Sequence, residues 1–469
     1  MENEKENELP AGWVDVLLGE ICSFEYGKSL TKDNRNNNGQ FDVYGSSGIV
    51  GKHSEALVDG PCIIVGRKGA VGEAYLSHKP CWPIDTAYYV ENFGCYNILL
   101  LLFLLKYINL SSLDKSTAIP GLNRNDAYRS KILIPPLAEQ HRIVAKLEEL
   151  FSELDMGVET LRAAQQQLKV YRQAVLQWAF EGKLTEEWRK KQEKIPTYAE
   201  LNDFLISERI KEEKSRRRNT DELTTVELSK LPAVPATWLW IKIDKLTKGV
   251  EYGTSEKSKK EGRIPVVRMG NIQNGKIVWE DLVYTDTKSD IDKYRLRPND
   301  VLFNRTNSPE LVGKTAIYSG QRAAIFAGYL IRLNQIDTLV DARYMNYYLN
   351  SLIAKKHGAT VKTDGVNQSN INGEKLINYP FPYCSLPEQQ QIVAEIESRL
   401  SVCDKLEETI TQSLLQAEAL RQSILKQAFA GKLVPQDPSD EPADKLLARI
   451  RAERAANPDK IKSSKRKVK

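Results

Sequence analysis

The chain repeats itself without a gap. Setting Glu139 on Glu388 lays residues 139–184 over 388–433, and 19 of those 46 aligned positions are identical. The identities include Glu139-Gln140 with Glu388-Gln389, Ile143-Val144-Ala145 with Ile392-Val393-Ala394, and Asp155 with Asp404. Arg172-Gln173 meets Arg421-Gln422, and Gly182-Lys183-Leu184 meets Gly431-Lys432-Leu433. A block conserved this way within one chain must solve the same folding problem twice. Shorter anchors precede each block. Pro10-Ala11-Gly12-Trp13 resembles Pro235-Ala236-Thr237-Trp238, and Glu25-Tyr26-Gly27 resembles Glu251-Tyr252-Gly253. Ile119-Pro120-Gly121-Leu122-Asn123 is set against Asp364-Gly365-Val366-Asn367. Between the anchors the halves diverge, so the order is variable, constant, variable, constant.

Each constant block reads as one long helix. Apolar residues recur in steps of three and four at Ile143, Leu147, Leu150, Leu154, Val158, Leu161, Leu168, Tyr171, Val175 and Ala179. The second block repeats the stripe at Ile392, Ile396, Leu400, Cys403, Leu406, Ile410, Ala417, Leu420, Ile424 and Ala428. This is the spacing of a helix stripe or a coiled-coil seam. Pro135-Pro136 and Pro387 stand where a helix tolerates proline, and Gly182 and Gly431 where a C-terminal cap belongs. At 1.5 Å per residue such a block spans roughly 69 Å. The stripes are expected to pack on each other. The alternative is that each helix packs only on its own globular part.

The variable parts read as mixed α and β. Cys62-Ile63-Ile64-Val65, Ile264-Pro265-Val266-Val267 and Asp300-Val301-Leu302-Phe303 are strand-like, between glycine- and asparagine-rich turns. Residues 98–108 and 342–353 are expected as matching helices. The fold class is therefore α+β, two globular mixed parts joined through two long helices, with an internal repeat. The expected boundaries are 1–135, 136–230 (first helix and linker), 231–383, and 384–469 (second helix and basic tail). The basic stretches 209–218 and 460–469 are expected as solvated, flexible segments.

Composition sets limits on chemistry. The formal charge is +5 on 469 residues, which permits nucleic-acid binding without demonstrating it. The six cysteines form no C-x-x-C pair and only four histidines exist, so no metal site is expected and the thiols read as reduced and buried. The charged N-terminus is expected to carry no secretory signal, and the apolar run 98–105 is too short to span a membrane. A cytoplasmic location is expected. No catalytic constellation and no cofactor fingerprint stand out. The nearest approach to a phosphate loop, residues 308–315, has Ser308 where glycine belongs and Glu310 inside the cradle. It and Arg67-Lys68-Gly69-Ala70-Val71-Gly72 are expected as turns.

Two divergent heads on one shared rigid spacer can read two different things at a set distance, which is what a two-part DNA site demands. The loops of the heads carry suitable residues: Arg67, Lys68, Asn123 and Arg124 in the first, and Arg268, Asn271, Asn304, Arg305, Asn307, Asn367, Gln368 and Asn370 in the second. Arginine and lysine suit guanine and phosphate, and asparagine and glutamine suit adenine. For each, the alternative is a surface loop role without base contact.

Here the chain resembles a known family, the specificity (S) subunit of type I restriction–modification enzymes. The residues that carry the resemblance are Pro135-Pro136-Leu137-Ala138-Glu139-Gln140, Arg172-Gln173-Ala174-Val175-Leu176 and Gly182-Lys183-Leu184-Thr185, with their second-half partners. Leu9-Pro10-Ala11-Gly12-Trp13 and residues 268–275 add to it. The resemblance implies that each variable part is a target recognition domain reading half of an asymmetric, interrupted site in double-stranded DNA. It implies that the helices form an antiparallel coiled coil with a pseudo-two-fold repeat, setting the spacing. They would dock two modification (M) subunits that bind S-adenosylmethionine and methylate adenine N6. Restriction (R) subunits would add ATP- and Mg-dependent cleavage. This subunit would hold no cofactor and perform no catalysis. The alternative is a specificity protein of a methyltransferase-only or other phage-defence system.

Overall fold

A computed structural model describes residues 9–36, 38–91, 96–113, 121–212, 221–366 and 368–456. Contacts divide the chain into two units, Met1–Arg162 with Thr411–Lys469, and Ala163–Ile410. Each unit thus takes one globular part, the first half of the long helix that follows it, and the second half of the other long helix.

In the first unit, strand Val14–Leu17 pairs antiparallel with Lys131–Ile134 and closes the globular part. Inside it lies a sheet in the order Glu25–Tyr26, Ala87–Val90, Cys62–Gly66, Ala74–Ser77. A second sheet has the order Gly48–His53, Phe41–Gly45, Cys81–Pro83. The apolar run forms helix Ile98–Tyr107, capped by the Asn97 side chain, with Leu100, Leu101, Leu102, Leu104 and Leu105 buried. In the second unit Leu239–Lys242 closes on Pro380–Tyr383. The central sheet begins Thr247–Tyr252, Leu330–Gln335, Val301–Asn304, Thr315–Ile317, the same order as the first, and then adds Gly275–Ile277 and Ile272–Gln273. The 342–353 segment is not one helix: Ala342–Leu349 stops at Asn350, and the Ser351 side chain caps a new helix, Leu352–Val361, by accepting from the Ala354 N–H. A serine with a free backbone N–H three residues on starts a helix more readily than it continues one.

The long helices run Leu137–Phe180 and Leu386–Phe429. Gly182 and Gly431 follow their ends at φ 74° and 66°, a left-handed turn that glycine adopts without a Cβ penalty. The repeated Glu-Gln pair at each start is wholly buried. Glu139 Oε2 accepts from Trp13 Nε1 and Glu388 Oε2 from Trp238 Nε1, both at 3.0 Å. Gln140 and Gln389 accept from the backbone N–H of Asn97 and Asp341, the caps of the neighbouring helices. The motif therefore bolts the helix to the globular part before it.

Within each unit, residue numbers on the two long helices run in opposite directions. In the second unit Arg172 pairs with Asp404 at 2.7 Å and Glu407 at 2.9 Å, while Val175 and Ala179 share a core with Ile392 and Ile396. In the first, Arg421 pairs with Asp155 and stacks 4.5 Å from the Phe151 ring, while Leu147 shares a core with Ala428. The covered line is Cys403, Glu407, Ile410, Leu414, Ala417, Arg421 and Ile424. It steps by four and three throughout, the period of a heptad. Tyr171, Leu406 and Leu420, assigned to the stripe on spacing alone, are exposed instead. Arginines that reach back to carboxylates of the facing helix take the seam at Arg172 and Arg421.

The repeat extends further than the long helices. The 249-residue offset continues backwards to helix Arg124–Tyr128 and helix Gly373–Ile377, capped by Asn123 and Asn372. Asn123 is thus matched with Asn372, not Asn367, because Leu122 and Ile371 make the same backbone bond, to Arg67 and Arg305. The repeat also extends forwards. Helix Tyr198–Glu212 buries Leu201 and Leu205 in the second unit's core, and helix Ala443–Ala456 buries Ala443 and Leu447 in the first unit's. Arg209 pairs with Asp244, and Arg451 with Glu20. All three pairs share one offset of 242 (443 − 201, 447 − 205, 451 − 209). Arg209 is therefore an anchored side chain and not part of a solvated stretch. Lys214, Arg216, Arg217, Arg218 and residues 460–469 lie outside the described residues. Leu205→Ala and Leu447→Ala are each expected to cost about 2–3 kcal/mol, read as a lowered urea midpoint. Solvated linker positions would show no change. Among the described residues no helix is long and apolar enough to cross a membrane.

Candidate nucleic-acid interface

The sheet edges and the loops beyond them hold most of the candidate residues. In the first unit Tyr26 sits opposite Tyr88, and Tyr88 opposite Val65. Two residues beyond Val65 the chain leaves the sheet at Arg67. Its guanidinium lies 4.9 Å from the Tyr26 ring centre, and Nη1 donates to the Asp85 carbonyl at 2.9 Å. Arg124 approaches the same ring at 4.9 Å and donates from Nη1 to the Phe24 carbonyl. Asn123 lies beside it, exposed, with its side chain capping the short helix through the Asn125 N–H. Lys68 is exposed and bridges to Gly121. The structure thus sets Arg67 and Arg124 over one half-exposed tyrosine, with Lys68 and Asn123 next to them in the chain.

The second unit repeats the frame. Tyr252 sits opposite Ile331, and Ile331 opposite Phe303. Two residues beyond Phe303 is Arg305, 4.8 Å over the Tyr252 ring. The glycines after the tyrosines are required: a Cβ on Gly27 would lie 2.1 Å from the Ile84 carbonyl, and one on Gly253 2.2 Å from that of Phe326. Position 124 becomes Gly373, whose N–H donates to the Tyr252 hydroxyl at 2.8 Å. A small ribbon, Thr306–Asn307, Ser369–Asn370 and Thr363–Asp364, then carries Asn307, Asn370 and the exposed Gln368. Asn370 Nδ2 donates to Thr306 Oγ1, and Asn307 Oδ1 accepts from the Ser308 N–H. Asn367 lies outside the described residues.

Three candidates stand apart from this group. Arg268 follows strand Ile264–Val267 of a separate three-stranded sheet and donates from Nη2 to the Asp281 carbonyl. Asn271 is buried, accepting from the Arg268 N–H and donating to the Glu280 carbonyl. Asn304, at the end of strand Val301–Asn304, is fully buried. Asn271 braces its loop from inside, while Asn304 donates to the Leu311 carbonyl at 3.5 Å and its Oδ1 is buried without a partner. Both side chains are buried, which residue type does not reveal. Conversely, Tyr26 and Tyr252 were not among the candidates, although their repetition in the two halves was the available signal. The phosphate-loop-like stretch is a turn, with the Gly313 N–H bonded to the Asn304 carbonyl as Gly72 is to Gly66.

Arg172, Arg189, Arg209, Arg332 and Arg421 are each held by carboxylates. Among the described residues Arg67, Arg124 and Arg305 have no ion pair, a state they share with Arg35, Arg268 and Arg322; what sets Arg67 and Arg305 apart is the matching tyrosine beneath each. An arginine stacked on a ring keeps several N–H donors free in a fixed plane, a geometry suited to phosphate or guanine.

The family model described as "Type I restriction modification DNA specificity domain" matches residues 10–160 and 244–416. The chain is similar to the Type I restriction enzyme EcoKI specificity subunit of Escherichia coli (strain K12), 25% identical over 98% of this chain and 99% of that one. It is similar also to the Type I restriction enzyme EcoDI specificity subunit of Escherichia coli, 24% identical over the same shares. In fold it resembles a chain solved in "Structural basis underlying complex assembly and conformational transition of the type I R-M system", with TM-score 0.64 and 20% identity over 91% of this chain and 100% of that one.

Proposed function

Because the chain belongs to the type I restriction modification DNA specificity family, we propose that it is the DNA-specificity subunit of such an enzyme, each head reading one half of an asymmetric, interrupted site. It supplies specificity while the chemistry belongs to other subunits. The observation that carries this reading is one sheet order and one Tyr–Arg frame in both heads, with unlike residues on the loops beyond. Identical frames with different loops suit two readers of different sequences.

The reading extends to the long helices. They act as an antiparallel coiled coil with pseudo-two-fold symmetry, supported by the exchange of partners between repeats: Arg172 with Asp404, and its copy Arg421 with Asp155. A repeated residue that meets the other copy's repeated partner is what a two-fold axis produces. The exposed apolar residues of these helices, Val170, Trp178, Val402 and Leu415, suit docking of two M subunits. S-adenosylmethionine would bind those subunits, and ATP with Mg the R subunits.

The test is sequencing of methylated adenines in cells carrying this chain with its modification subunits. The expected result is one interrupted motif, lost when the chain is deleted. Methylation that persists unchanged without the chain would refute the reading.

A further inference from the structure

We propose that Arg67 and Arg305 are sequence-blind phosphate anchors, held in place by Tyr26 and Tyr252, and that base reading falls to the unrepeated residues around them. This rests on the reading of the heads as DNA readers. The argument starts from what is shared and what is not. Loops that read different bases must differ, whereas a grip on the phosphodiester backbone can be the same in both heads. The Tyr–Arg pair is what the heads share. Both arginines leave the central sheet at the same register, lie 4.9 and 4.8 Å over the tyrosine, and accept at their carbonyl from the N–H of Leu122 or Ile371. Each tyrosine precedes a glycine that the adjoining carbonyl forbids to change.

The neighbours differ between heads. Arg124 in the first is Gly373 in the second, and Gly121 is Asn370. Lys68 lies where the second head has Thr306. Arg124 and Lys68 in one head, and Asn370 and Gln368 in the other, are the residues placed to give each head its own sequence. The tyrosine ring explains why the anchor is arginine: stacking fixes the guanidinium plane, so little freedom is lost when it meets a phosphate, and lysine cannot stack this way.

The test uses the chain in complex with modification subunits, a duplex carrying the methylated motif, and a scrambled duplex of equal length, titrated over a range of salt. Arg67→Ala and Arg305→Ala should each weaken binding about fivefold to tenfold on both duplexes. Each should lower the salt slope by about one, since one phosphate contact is lost. The methylated motif should stay the same. Arg67→Lys should keep the wild-type slope and recover part of the affinity, which carries the test if the alanine variant fails to fold. Arg124→Ala should weaken the cognate duplex far more than the scrambled one. A changed base in either half-motif on substituting Arg67 or Arg305, or weakening confined to the cognate duplex, overturns the anchor assignment and leaves the DNA-reading role intact. Equal wild-type binding to both duplexes overturns the DNA-reading role itself, and the anchors with it.

Discussion

Seven residues inserted in each long helix are expected to change the gap in the methylated motif by about three base pairs and to leave the bases of both halves unchanged. Seven residues add about 10.5 Å of helix, close to three steps of 3.4 Å along a DNA strand. The number follows from the covered line, which steps four and three from Cys403 to Ile424, so a heptad keeps every seam residue in phase. The sites must face each other. Counting six residues on from Asp155 and six back from its partner Arg421 gives Leu161 and Leu415. A four-residue insertion at the same places rotates the seam and should cost stability as well as spacing. Sequencing of methylated adenines reads the outcome directly. An unchanged gap would remove the helices from the spacing role, and altered half-sites would mean that the heads do not read independently.

The two copies of the buried glutamate should answer mutation differently. Glu388 is almost fully buried, and besides the Trp238 N–H it takes Arg189 Nη1 at 2.6 Å and Thr185 Oγ1 at 2.9 Å. Glu388→Gln leaves the Arg189 guanidinium without its counter-charge in a nearly buried place, for an expected loss of about 3 kcal/mol. Its copy Glu139 has the tryptophan but not the arginine. The position matching Thr185 is Val434, and Glu139 Oε1 is buried without a partner. Burial pushes this carboxyl above its ordinary 4.5, partly offset by the Trp13 N–H and by nearby Arg142. A folded value above the unfolded one means that the group's stabilisation is complete below about 4.5. It is lost as pH rises through the folded value. Glu139→Gln should therefore be neutral or stabilising at pH 7 and should flatten the stability profile above pH 4.5, since the amide oxygen can still accept from Trp13. Amide hydrogen exchange at two pH values resolves the two units. A loss at Glu139 equal to that at Glu388 would refute the asymmetry.

Much of this was legible in the chain because it is local. A long helix is written in consecutive residues: prolines before it, a left-handed glycine after it, and apolar steps of three and four. The 46-residue match also exposed the Glu-Gln and Arg-Gln pairs, though not what they bind. Several boundaries of meaning were missed for one reason. Asn271 and Asn304 share their residue type with readers of adenine, yet Asn271 closes a loop against Glu280 and Asn304 is fully buried. The helices at 198–212 and 443–456 are copies in position but share few residues, so only their common cores reveal them.

The sequence by itself determined that the chain is two copies of a variable head and a long amphipathic helix, because backbone hydrogen bonds and side-chain periodicity act over a few residues. Only the tertiary structure decided which loop residues face outward. It also decided that Tyr26 carries Arg67 as Tyr252 carries Arg305, because these contacts join strands some forty to fifty residues apart whose register depends on the whole sheet.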